Sequence, residues 1–266
     1  MDLDHARGVA VDAAEAAGRL LLKGTHGTLG VRAKGGSGDV VTDLDLASEK
    51  LLLERILTAF PAHSVIAEES GLLGAAGGEW TWLVDPLDGT NNLAIGLPAY
   101  VVGLALCHMG RPVLGVVHEP VTGRTWSAIR GCGAVASSGA RLTAAYRSSP
   151  HGPLLAWTQG YAVTRDDAAA RALKSALERD ARRVLRLWAP LLSWAMLARG
   201  DIDGIVGYQA EAVDLPAGAL IAREAGIEIR ALDGGPFRDD IDGTAEDRSF
   251  VAAHPDALPG LLSLVR

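Results

Sequence analysis

Apolar and polar positions along this chain predict helices first, strands in the middle and a mixed rhythm at the end. Residues 3–23 read as a helix, with Ala-rich turns, Leu20, Leu21 and Leu22 inside and Gly24 as its stop. The glycine-rich stretch 24–39 reads as a loop or weak hairpin around Lys34. Thr42 and Asp45 then have capping-box spacing and open a second helix, which runs through Leu51, Leu52 and Leu53 and stops before Pro61. Residues 64–67 predict a short strand ending in Glu68, Glu69 and Ser70, and 71–78 a flexible tip. The apolar run 80–84 predicts a buried strand, and Pro86 predicts its end, since proline cannot continue a central strand.

From Tyr100 the pattern turns to β. Residues 101–109, 113–118 and 124–129, divided by Gly110-Arg111-Pro112 and Val121-Thr122-Gly123, predict an antiparallel meander, and 131–140 a hairpin. Beyond residue 146, strands at 154–158, 184–187, 202–206 and 250–253 alternate with helices at 165–180, 191–198, 215–225 and 255–265. That alternation favours a layered α/β half. The expectation is an α+β half over 1–146 and an α/β half over 147–266, packed as one unit because no low-complexity linker divides them.

Composition narrows the function classes. Of 266 residues, 48% are hydrophobic and 21% charged, a globular balance. A net charge of −7 argues against a general nucleic-acid surface, which needs clustered Lys and Arg. Cys107 and Cys132 are too few for a disulfide framework or a Cys-rich metal site. Asp2, Asp4, Asp12 and Glu15 do not suit a signal peptide, and no apolar run is long enough to span a bilayer, so a cytoplasmic protein without a membrane partner is expected.

The chemistry concentrates in Asp85-Pro86-Leu87-Asp88-Gly89-Thr90-Asn91-Asn92. Two carboxylates leaving one strand tip repel unless a proton or cation lies between them, and hard oxygen ligands favour Mg²⁺. Gly89 permits close backbone approach to a ligand, and the Thr90 and Asn amides could begin a helix that receives an anion. Glu69, Asp45 and Asp214 are further acidic candidates. Each also has a plain structural reading: an exposed loop carboxylate, the third residue of a capping box, and a helix N-cap ahead of Pro216. Gly131 to Ala136 formally matches a dinucleotide-binding glycine pattern, but it follows a meander and opens no helix, so a hairpin is expected there.

With these motifs in place the chain resembles the inositol monophosphatase family of Mg²⁺-dependent, lithium-sensitive phosphatases. The family's D-P-[IL]-D-G-T-x-N signature stands as Asp85 to Asn92, and its G-E-E-S as Ala67-Glu68-Glu69-Ser70. Its Lys-x10-Asp pairing appears as Lys34 and Asp45, and its second signature as Val213-Asp214-Leu215-Pro216-Ala217-Gly218 running on to Ile227. The resemblance implies the layered α-β-α-β-α fold, a phosphomonoesterase of a small phosphorylated polyol, sugar or related metabolite, and a homodimer. A relative specialised for another ester, such as a nucleoside, 3′-phosphoadenosine or histidinol phosphate, and a non-catalytic metal- or phosphate-binding regulator are the alternatives. It implies two Mg²⁺, or three, with Glu69, Asp85 and the Leu87 carbonyl around the first, and Asp85, Asp88 and Asp214 around the second. Thr90, bonded to Asp45, and Glu69 would orient and deprotonate a water, Gly89 and Thr90 would hold phosphate, and Lys34 would tune the electrostatics of the loop.

The alcohol-binding wall departs from the family pattern. Trp188-Ala189-Pro190-Leu191 replaces the Gly-[ST]-Ala-Ala turn, and Pro190 has no amide hydrogen. Gly207 stands where those enzymes carry a glutamate, which Glu211 replaces only if its loop shifts, and Val213 replaces a tryptophan. Trp188 either stacks on a substrate ring or packs in the core, and Asp88, Asp214, Trp188 and Glu211 are the expected substrate contacts.

Overall fold

The computed structural model describes residues 1–25, 29–34, 38–146 and 149–265. Parts of the 24–39 loop, and residue 147 at the expected boundary between halves, lie outside the described residues.

Helix α1 (Leu3–Gly24) begins at Asp2, whose carboxylate accepts the His5 amide, and buries a stripe of Ala6, Ala10, Ala13, Ala14 and Ala17. Strands β1 (Val31–Lys34) and β2 (Asp39–Thr42) pair antiparallel, the hairpin that Lys34 was expected to adorn. Helix α2 (Asp43–Ala59) opens with the full capping box of Thr42 and Asp45.

There follow β3 (Ser64–Ala67), β4 (Gly71–Leu73), β5 (Trp80–Asp88), the five-residue α3 (Thr90–Ala94), β6 (Val101–His108), β7 (Arg111–Glu119), β8 (Arg124–Ile129), β9 (Gly133–Ala136) and β10 (Arg141–Leu142). They form an eight-stranded sheet in the order β10-β9-β8-β7-β6-β5-β3-β4. All described pairs in it are antiparallel except β3 with β5. Two expectations change here. The 71–78 tip supplies β4, which pairs with β3, and β5 does not end at Pro86. Asp85 pairs with Gly103 and Asp88 with Val101, so three steps on β5 face two on β6. A bulge thus carries the strand past a residue that cannot donate to the ladder.

The second sheet contains β11 (Leu154–Gln159), β12 (Arg183–Leu185), β13 (Gly204–Tyr208), β14 (Glu228–Ala231) and β15 (Phe250–Ala253), in the order β12-β11-β13-β15-β14. Helices α4 (Ala168–Asp180), α5 (Pro190–Arg199), α6 (Pro216–Glu224) and α7 (Leu258–Leu264) connect and close it. Strand β14 is an edge strand that its short, mixed sequence did not predict.

The layers follow from which faces are apolar. Helices α1 and α2 cover one face of the large sheet, and α5 and α6 cover the other. The same α5–α6 pair meets the second sheet, whose outer face carries α4 and α7. The result is the expected α-β-α-β-α sandwich. Its middle layer is tight: a Cβ at Gly218 of α6 would lie 2.5 Å from Trp194 of α5, so only glycine permits this approach. Among the described residues no helix is long and apolar enough to cross a membrane.

Candidate active site

The parallel pairing of β3 with β5 brings two acidic strand ends to one edge. The ladder continues one step beyond β3, where the Glu68 amide donates to the Val84 carbonyl at 3.1 Å. Glu68 and Glu69 stand in the turn between β3 and β4, and Lys34 bonds both carboxylates, yet only one of them lines the cleft with Asp85. That one is Glu68. It lines a cleft of about 270 Å³ with Asp85, Leu87, Asp88, Gly89, Thr90, Glu211 and Asp214. The sequence-based choice of Glu69 is therefore corrected. Glu69 is not among the lining residues; its carboxylate accepts from Lys34 at 2.7 Å, and its amide donates to Glu49 at 2.8 Å.

The strand bulge positions the other two motif carboxylates. Asp85 accepts the Leu87 amide at 3.1 Å, and Asp88 accepts the Leu191 amide at 2.7 Å and that of Leu192 at 3.3 Å. Pro190 is the first residue of α5, where its missing N–H has no helical partner to lose, and the next two amides hold Asp88. Asp214 arrives from the loop ahead of α6, and contributes to the same cleft from the second sheet's side.

Helix α2 braces the cluster from beneath. Asp45, Ser48 and Glu49 share one buried face at helical spacing. Ser48 donates to the Pro86 carbonyl at 2.8 Å, holding the bulge, while Glu49 accepts the Glu69 amide and the Ser70 hydroxyl. Glu49 was missed in the sequence, although its place one turn after Asp45 was a usable signal.

Electrostatics show what the cleft wants. Burial holds Asp85, Asp88 and Glu68 above their ordinary carboxylate values; the charge of Glu68 adds to this at Asp85 and that of Asp214 at Asp88, while at Glu68 the Lys34 ammonium pulls the other way. Asp214 is pushed up to about 8, by burial and then by Glu68. The charges of Glu68 and Asp85 repel each other, which a proton or a cation between them would relieve. Lys34 donates to Glu68 at 2.9 Å and to Glu69 at 2.7 Å; burial opposes its charge, but the two carboxylates outweigh it and raise its pKa. Among the described residues no three such side chains are already closed around a metal position. The donor set nonetheless fits hard divalent cations, because several carboxylates face an open cleft in which Lys34 is the one cation among the described lining residues.

The alcohol wall departs from expectation at two places. Trp188 does not pack in the core: it is 56% exposed and stands at the cleft rim. A Cβ at Gly207 would lie 2.3 Å from the Phe250 ring, so that position faces the interior and could not present a glutamate. After β13, Gln209 takes φ 48° and Glu211 comes round to the cleft, where it accepts the Tyr161 amide at 2.7 Å. Tyr161, also missed from sequence, lines the same cleft as Asp39. The Gly131 and Gly133 amides donate to Glu224 at 2.8 and 2.7 Å, so the glycine pattern there is a turn bound to α6, as expected of a hairpin.

Comparisons with known proteins agree with this architecture. Residues 2–266 match the inositol monophosphatase family. The chain is 34% identical over 229 residues to the Nus factor SuhB of Pasteurella multocida, covering 85% of each. Among solved structures, it is similar to the extragenic suppressor protein suhB of Bartonella henselae (TM-score 0.86, 26% identity, 97% of each chain). It is also similar to the inositol monophosphatase of Anabaena (TM-score 0.83, 28% identity, 100% of this chain and 96% of that one). Fold, carboxylate cluster and match over the whole chain lead to one conclusion: the chain belongs to the inositol monophosphatase family.

Proposed function

We propose that the chain is a Mg²⁺-dependent phosphomonoesterase acting on a small phosphorylated polyol or sugar. The observation that carries this reading is the convergence of Glu68, Asp85, Asp88 and Asp214 on one cleft, where Asp85 and Asp88 are buried. Glu68, Asp85, the Leu87 carbonyl, Asp88 and Asp214 would hold the metal ions, with Glu68 in the role first assigned to Glu69. Bound Mg²⁺ would acidify a water and neutralise charge on the phosphate and the leaving oxygen.

The chain's own groups do the positioning. The Thr90 hydroxyl donates to Asp45 at 2.7 Å, which leaves its lone pairs free to accept from, and so orient, the attacking water. Gly89, with φ 105° and no side chain, and Thr90 would present their amides to the phosphate. Glu211, Asp88 and Asp214 would accept alcohol hydroxyls, and Trp188 would cover a ring. From the family resemblance we carry forward two or three Mg²⁺, inhibition by Li⁺, and a homodimer.

Phosphate release with and without Mg²⁺, across inositol 1-phosphate, fructose 1,6-bisphosphate, histidinol phosphate, adenosine 3′,5′-bisphosphate and nucleoside monophosphates, tests the reading. Metal-dependent release from at least one ester is expected, and none from any would overturn it. The likeness to relatives called Nus factors supports a second reading, a non-catalytic role on the same fold. Such a role would survive Asp85→Asn, whereas hydrolysis would not.

A further inference from the structure

We propose that the cleft beyond Trp188 is a second anion subsite, so that the substrate is a phosphomonoester bearing another phosphate on its alcohol. This rests on the phosphatase reading above and names its substrate class. A cleft of about 500 Å³ adjoins the carboxylate site and shares with it Asn91, Tyr161, Trp188, Pro190 and Asp214. The two are opposite in sign. The far part is lined by Arg165, Lys174 and Arg186, and Asp214, at the shared boundary, is the sole carboxylate among its described lining residues.

Two of these cations are held in place rather than merely solvated. Lys174 stands 5.3 Å from the centroid of the buried Trp157 ring, which limits its wandering. Arg186 is tethered by Glu178, which does not line the cleft. Arg165 has no ion pair among the described residues, so its guanidinium is free to take a ligand oxyanion in two-pronged fashion. In a chain of net charge −7, three cations around one cleft beside the acidic site form a marked local reversal. Trp188, exposed on the rim common to both clefts, lies where the body of a ligand spanning them would rest. The metal site would take the scissile phosphate and the basic wall the second one. Their joint size suits a ligand larger than a single phosphorylated ring.

The test compares matched esters in Mg²⁺: fructose 1,6-bisphosphate against fructose 1-phosphate, and adenosine 3′,5′-bisphosphate against adenosine 3′-phosphate. In one pair kcat/KM should favour the bisphosphate by about tenfold or more, the scale of a charge-assisted contact. The favoured pair distinguishes a sugar from a nucleoside. That preference should fall in Arg165→Ala and Lys174→Met, be partly kept in Arg165→Lys, and weaken with salt. Equal turnover within both pairs, or a preference untouched by both substitutions, would overturn the proposal. If no ester is hydrolysed, the phosphatase reading fails on its own. Calorimetric titration of the same pairs in Mg²⁺ then still decides the subsite: tighter binding of a bisphosphate, weakened by those substitutions, sustains it, and equal binding overturns it.

Discussion

The Thr90 hydroxyl donates to Asp45 Oδ1 at 2.7 Å, although the two residues are 45 positions apart. The other Asp45 oxygen accepts the Thr42 amide at 2.7 Å and the Thr42 hydroxyl at 2.5 Å. One carboxylate thus braces the start of α2 and offers the Thr90 proton its nearer acceptor, the Leu87 carbonyl at 3.0 Å being the other. Thr90→Ala should lower kcat by about 10²-fold or more while Thr90→Ser retains activity, measured as phosphate release. Asp45→Ala should do both kinds of damage, losing turnover and about 1 kcal/mol of stability through the cap, readable by urea unfolding.

Glu68 and Glu69 offer a sharp pairwise test, because both reach Lys34 but of the two only Glu68 lines the cleft. Glu68→Gln should abolish most Mg²⁺-dependent turnover and raise the Mg²⁺ concentration needed for half-activity. Glu69→Gln, which loses the Lys34 contact but leaves the cleft lining intact, should be several-fold milder. A Mg²⁺ titration of both variants decides the assignment, and equal defects would count against it.

Burial holds His118 below the ordinary histidine value, against the opposing charge of Glu15; its Nδ1 lies 3.0 Å from the Thr125 hydroxyl. Its folded value being depressed, the unfolded chain binds the proton more readily. The stability this group contributes is present above the unfolded value of 6.5 and is lost as pH falls through the folded value. Thermal unfolding should therefore show Tm dropping between about pH 7.5 and pH 5.5, with a smaller drop in His118→Gln.

Gly218→Ala should destabilise the chain by about 1–3 kcal/mol, since the added methyl meets the Trp194 ring and backbone must shift. The control is Gly8→Ala on α1, where nothing lies within 4 Å and a small gain is expected. Chemical denaturation of the two variants measures both.

Much of this protein was legible in local chemistry. The Thr42–Asp45 capping box, the β6–β8 meander and the alternating second half follow from side-chain periodicity and punctuation, and each is present. The motif around Asp85 announced a cation-seeking tip, because two carboxylates three residues apart at a strand end leave few other uses. Other features depend on what lies opposite. Pro86 breaks a ladder locally, yet a bulge and the Ser48 bond to its carbonyl let β5 continue. Glu68 and Glu69 are the same residue type side by side, and the register of β3 on β5, with the turn that Glu49 holds after it, selects between them. The neighbours of Trp188 in sequence do not tell that its indole faces solvent, nor those of Gly207 that Phe250 fills the space beside it. Periodicity and turn chemistry act over a few residues, so the sequence by itself determined most of the elements and the acidic motif. Which carboxylate enters the cleft, and what lines the wall around it, was decided by contacts between distant segments once two sheets and the α5–α6 layer had packed.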